Sequence, residues 1–240
     1  MEREVISTSL KALTINLDRT TYGVFAEIGG GQEVSRNFFQ AGGASGTIAK
    51  TISAYDKQYS DLLYSNNQAT KRYVSCQRLE EMLDCEYNQL IGSLSDKRES
   101  PTRYFVYANT VSTINYKKDN VSHGWMGCRF QLEPDAEPNE IIVHIGLHEK
   151  DNVLQQNTLG IAGVNLIYAC FFHHDRPNSF IQSLLDNLST DRMEITMIRM
   201  KGPQLNYVDN RLLAVQLVKN GMAKAIMFDR YGNVQEPDDM

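Results

Sequence analysis

A strand that stops on three glycines and restarts as a helix leaves few folds open. Residues 22–28 carry Val24, Phe25 and Ile28, Gly29-Gly30-Gly31 halts the run, and 33–40 reads as a short amphipathic helix. A second small-residue loop, 42–47, follows. A helix that starts where a strand ends must pack back onto the sheet, which places the chain in the α/β class.

The rest of the chain extends that pattern. The alternation Leu13, Ile15, Leu17 suggests a strand, 48–59 a helix and 61–72 a polar connection. Ser75 is placed to cap a helix in which Leu79, Met82, Leu83, Tyr87, Leu90, Ile91 and Leu94 recur at three-and-four spacing, with Val74 and Leu79 as its staple. Strands are expected at 103–111, 126–132 and 140–147, the last two joined as an antiparallel hairpin through Pro134 and Pro138. Helices at 162–172 and 180–188, a strand at 195–200, a helix at 211–219 closed by Gly221 and a strand at 223–228 complete the order. The expectation is one α/β domain over 1–240: a mixed, mostly parallel, Rossmann-like sheet covered by helices, with a weak boundary near 95–101.

A chain of 240 residues buries roughly 70–75% of its unfolded surface and needs no staples. Its four cysteines form no C-x-x-C pair, and a net charge of −5 argues against affinity for nucleic acid. The first residues have no apolar signal segment, and the most apolar run, 159–172, is short for a bilayer and contains Asn165. A cytoplasmic protein with no membrane partner is expected.

A glycine turn before a helix presents backbone N–H groups to an anion. Gly29, Gly30 and Gly31, with Glu27, Glu33 and Arg36 around them, form one candidate site; Gly42, Gly43, Ser45, Thr47 and Lys50 form a second. Together they predict binding of a nucleotide or another phosphorylated metabolite. Neither loop completes a standard motif, since Val34 takes the third glycine place of the dinucleotide fingerprint and Ala44 and Ala49 take the glycine places of a P-loop relative to Lys50. The stretch from Glu27 to Gly31 also resembles the first motif of S-adenosylmethionine-dependent methyltransferases, with Glu33 in place of its last glycine. The sequence specifies no cofactor. Glu27 and Glu33 are the nearby carboxylate pair for a divalent cation, but no metal site is expected. On a strand His144 and His148 share a face yet stand roughly 13 Å apart. His173 and His174 are neighbours that diverge. Trp125 reads as core or, beside Arg129, as a stacking surface for a base, and Arg211 as a ligand near a helix that Asp209 caps. No G-x-S-x-G nucleophile motif is present.

Long segments, FAEIGGGQEV from Phe25, GGASGTIAKT from Gly42, HGWMG from His123 with Arg129-Phe130-Gln131, and 208–227, resemble a family of uncharacterised bacterial cytosolic proteins. Its members often carry the labels nicotinate-nucleotide adenylyltransferase or TonB-dependent receptor. The chain lacks the H-x-G-H and S-S-T-x-x-R motifs of the first label, having only Ser189-Thr190-Asp191-Arg192, and the signal segment of the second. The resemblance implies that the chain corresponds to the N-terminal part of longer proteins, with a C-terminal partner domain. Beside the binding reading stands another, a noncatalytic assembly protein. Its glycine loops would then be subunit contacts of a homo-oligomer.

Overall fold

The computed structural model describes residues 4–65, 72–98 and 101–237. Six strands form one mixed sheet in the order β2-β1-β3-β4-β5-β6: β1 (Thr21–Ile28), β2 (Ile48–Ile52), β3 (Arg103–Ser112), β4 (His123–Phe130), β5 (Asn139–Leu147) and β6 (Met193–Lys201). The chain is α/β, as expected. β1 runs parallel to β2 and β3, whereas the three pairings from β3 to β6 are antiparallel, so the parallel part is confined to one side. Two of the antiparallel pairings come from the turns of 113–122 and 131–138, too short for a crossover helix, whereas β6 returns antiparallel to β5 after α5 and α6. β3, which follows the 95–101 stretch, is hydrogen-bonded between β1 and β4, so both sides of that stretch share one sheet.

Each face carries its own core. On one face α1 (Thr8–Asn16), α2 (Glu33–Ala41), α5 (Asn152–Phe172), α6 (Pro177–Leu184) and α7 (Asn210–Lys219) cover Phe25, Phe105, Tyr107, Met126, Val143 and Ile198. On the other, α3 (Lys57–Tyr64) and α4 (Cys76–Leu94) cover Val24, Val106, Ala108 and Trp125. The predicted stripe of α4 is buried from Leu79 to Leu90 and half-buried at Ile91 and Leu94, and Ser75 caps the helix by accepting from Arg78 N–H at 3.2 Å. The apolar run 159–172 forms most of α5, the central helix of the first face. Among the described residues no helix is long and apolar enough to cross a membrane.

Three expected elements differ. Residues 13–17 belong to a helix, not a strand: Ser7 caps α1, and its buried positions Lys11, Ala12, Ile15 and Asn16 follow helical spacing rather than alternation. Residues 48–52 form the edge strand β2, whose Ile48, Thr51 and Ile52 suit an extended chain, and the helix begins only at Lys57, capped by Asp56. Residues 223–228 form no strand of the sheet. Ile195 N–H on the outer side of β6 is taken by Met222 O (2.9 Å), and the chain then turns away. Part of the 61–72 connection lies outside the described residues.

Asp209 caps α7 and receives Arg211 through backbone N–H (2.9 Å) and guanidinium (2.8 Å). Those bonds hold its carboxyl down at about 2, below an unfolded value of about 3.9. The cap's contribution is therefore complete above the unfolded value and is lost as pH falls through about 2. A carboxyl NMR titration of Asp209 should find that low midpoint; an ordinary one would contradict the cap.

Candidate functional site

The two glycine loops lie at opposite ends of the sheet. Gly29–Glu33 follows the carboxyl end of β1, but Thr47 O accepts from Gly23 N–H (2.7 Å) near the amino end, five residues or roughly 17 Å away along the strand. The structure does not bring Gly29, Gly30, Gly31, Glu33 and Arg36 together with Gly42, Gly43, Ser45, Thr47 and Lys50. The second loop packs on α1, where the Asn16 amide donates to Gly42 O (2.7 Å) and Phe38 O (2.8 Å). Thr47 is buried there, Ser45 is exposed, and Lys50 reaches the other face to pair with Glu86 of α4 at 2.5 Å.

The anion position at the start of α2 is already filled. Glu27, 1% exposed on β1, accepts from Val34 N–H (3.0 Å) and Ser35 N–H (2.9 Å), so a carboxylate of the protein itself takes two of the free donors of that helix end. Burial pushes the Glu27 carboxyl above the ordinary range against the pull of those N–H groups. The glycines answer to packing. Gly29 has φ +95° and faces Val111 O of β3, and Gly30 lies under Leu159 of α5. Arg36 is exposed and 3.4 Å from Glu33.

Chemistry gathers instead farther along the same edge, where the amino ends of β4 and β6 meet the carboxyl end of β5. The β4–β5 register sets Trp125 opposite His144, which makes His123 the diagonal neighbour of His144 on one face. His123 Nδ1 and His144 Nε2 stand 3.1 Å apart, and His144 Nδ1 is 2.5 Å from Thr196 Oγ1 of β6. Trp125 is core, 0% exposed, with its ring centre 4.7 Å from that of His144. Arg129 does not stack on it, being paired with Glu140 and Asp84.

This His123–His144–Thr196 chain lines a cleft of about 320 Å³ with Ser122, His148 and Glu194, a volume within the range of small-ligand sites. His148 Nε2 is 3.9 Å from Glu194 Oε2. Ser122 Oγ is buried and has no hydrogen-bond partner among the described residues. The lining contains neither lysine nor arginine. His144 and His148 thus share a face as expected, but the important partner, His123, comes from the next strand. Among the described residues no three His, Cys, Asp or Glu side chains converge for a metal ion.

A neutral imidazole donates at one nitrogen and accepts at the other. If His144 donates from Nε2 to His123 Nδ1, it accepts the Thr196 hydroxyl at Nδ1; the opposite tautomers reverse every bond. Switching between the two moves a proton's worth of charge along the chain while the rings stay in place. A larger groove, about 640 Å³ between α6 and α7, is lined by Tyr207, Leu212, Asp209 and Lys219. Asp209 is committed there to its cap, and Arg211 to Asp209.

No protein-family model and no curated protein sequence matches the chain. Solved structures similar to it include the competence/damage inducible protein CihA from Agrobacterium tumefaciens, with 13% identity, covering 70% of this chain and 98% of that one, at a TM-score of 0.47. Another is a competence-damaged protein (CinA) superfamily protein from Enterobacter cloacae, with 10% identity, covering 71% and 95%, at 0.49. No statement about the site rests on likeness at that level.

Proposed function

We propose that the protein binds a small polar metabolite in the cleft on the edge of the sheet, and that His123, His144 and Thr196 pass a proton to or from it. The observation that carries this reading is the imidazole–imidazole–hydroxyl chain that lines the cleft. Because no lysine or arginine among the described residues lines the cleft, the ligand is neutral or carries little negative charge where it enters. Glu194 and the imidazoles favour amide, hydroxyl or amine groups over a polyphosphate. A nucleotide is accommodated in this reading by its base or ribose, with its phosphates outside the cleft.

The test is a thermal-shift panel of nucleosides, nucleotides, nicotinamide compounds, adenosylmethionine and divalent metals on the purified chain. A ligand at a hundred times its dissociation constant stabilises by about 2.7 kcal/mol, which for a chain of this size is a rise on the order of 5–10 °C. The expected result is such a rise for one class of polar compound, absent in His123→Leu. An equal rise in wild type and variant would overturn the assignment to this cleft.

A further inference from the structure

Beyond α7 the chain doubles back over the sheet and ends its described course at the cleft. Residues 227–235 form a hairpin: Asp229 N–H donates to Asn233 O (2.9 Å), Gln235 N–H to Met227 O (2.9 Å), and Phe228 bridges Val234. The Asp229 carboxylate fixes the turn by accepting from the backbone N–H groups of Tyr231 and Asn233, each at 2.8 Å. Val234 then packs on the face that holds Trp125 and Met197. Glu236 is ion-paired to Arg199 of β6 and receives the Cys76 thiol of α4 at 3.8 Å. Pro237, the next residue, lines the cleft beside His123, His144 and Thr196.

We propose that residues 233–237 are a strap that controls access to the histidine cleft, latched by the Glu236–Arg199 ion pair. α4, the long helix of this face, packs on β3, β4 and β1, and residues 234–237 lie over β6 beside the cleft. The latch is suited to opening. Glu236 and Arg199 are each just over a quarter exposed, and Arg199 keeps a second partner in Glu80 of α4 (2.7 Å), so losing Glu236 frees the strap while Arg199 stays held to the fold. The turn at 229–233 stays closed by its own hydrogen bonds, which makes it the pivot. A ligand entering the cleft has to displace Pro237 or fit beneath it, and either event works against or with the Glu236 pair.

The inference rests on the reading of the cleft as a site, and its test reads access alone. Diethyl pyrocarbonate acylates accessible imidazole nitrogen, and mass spectrometry gives the rate at each of the five histidines. In Glu236→Gln, His123 and His144 should be labelled roughly five-fold faster than in wild type, the opening that loss of an exposed ion pair allows. Arg199→Met, which breaks the pair with Glu80 as well, should accelerate them at least as much. His174, just past the end of α5 on the other face, should keep its rate. Unchanged rates at His123 and His144 in both variants would overturn the strap, and so would equal acceleration at all five histidines, which signals general loosening. If the cleft takes no ligand, the metabolite panel fails while this result stands.

Discussion

Lys11→Met should lower the melting temperature on the order of 10 °C. Lys11 is 0% exposed, and its ammonium donates to Asp186 Oδ2 and to Asn165 Oδ1, both at 2.7 Å. Asn165 in turn donates to Leu184 O (3.1 Å) and Asp186 O (2.8 Å), so one buried network ties α1 and α5 to the end of α6. Removing the cation leaves the Asp186 carboxylate, 2% exposed, in the interior. Breaking such a buried pair costs about 3–5 kcal/mol, because the remaining charge has lost its partner without regaining water. For 240 residues each kcal/mol moves the midpoint by roughly 2–4 °C. Lys11→Met combined with Asp186→Leu should recover most of the loss, since the stranded charge goes too. Thermal denaturation of the two variants decides it: a shift below about 2 °C in the single variant would mean that the pair is not held dry.

Gly29→Ala should be nearly as damaging, for a steric reason. A Cβ at that position would lie 1.8 Å from Val111 O, and the backbone there has φ +95°. The obstructing atom belongs to a strand in the middle of the sheet and cannot swing aside. Strain of this kind, added to a left-handed φ, costs more than about 3 kcal/mol. Gly42→Ala makes the control: its φ is +85° and ψ 161°, but nothing lies within 4 Å of the added carbon, so it should cost about 1–3 kcal/mol of backbone strain with no clash added. Equal losses in denaturant unfolding would show that φ alone, and not the approach of β3, demands glycine at position 29.

That contrast bears on what could be read from the sequence. The strand, the glycine stop and α2 were legible because local rules dictate them: an apolar run, a turn that only glycine permits, and an amphipathic helix. α4 was legible for the same reason. The role of the glycines was not, since ligand cradles and close packing ask for the same residue, and only the positions of Val111 and Leu159 separate them. Glu27 looked like a ligand because it precedes the turn; its partners turned out to be the N–H groups a ligand would have used.

The histidine cleft was half legible. A hairpin centred on Pro134 and Asp135 pairs Trp125 with His144 and sets His123 diagonally beside it, but the expected strand began only at 126, three residues past His123. Measuring His144 only against His148 on its own strand missed the partner across the ladder. Thr196 could not be foreseen. It joins the chain through a register shift between His144 and Ile145 in the β5–β6 pairing, a detail that no spacing in the sequence encodes. Residues 13–17 and 48–52 misled for a related reason: short segments carry too few apolar positions to fix a period, and packing on the sheet decided them.

The most direct test of the central claim is a side-chain ¹⁵N spectrum of histidine-labelled protein, recorded with and without whichever panel compound most raises the melting temperature. On binding, the Nδ1 and Nε2 signals of His123 and His144 should move, while those of His174 stay in place and the backbone amides of residues 29–33 and 42–50 do not shift. Unmoved imidazoles, with shifts at either glycine loop instead, would contradict the claim and return the site to those loops.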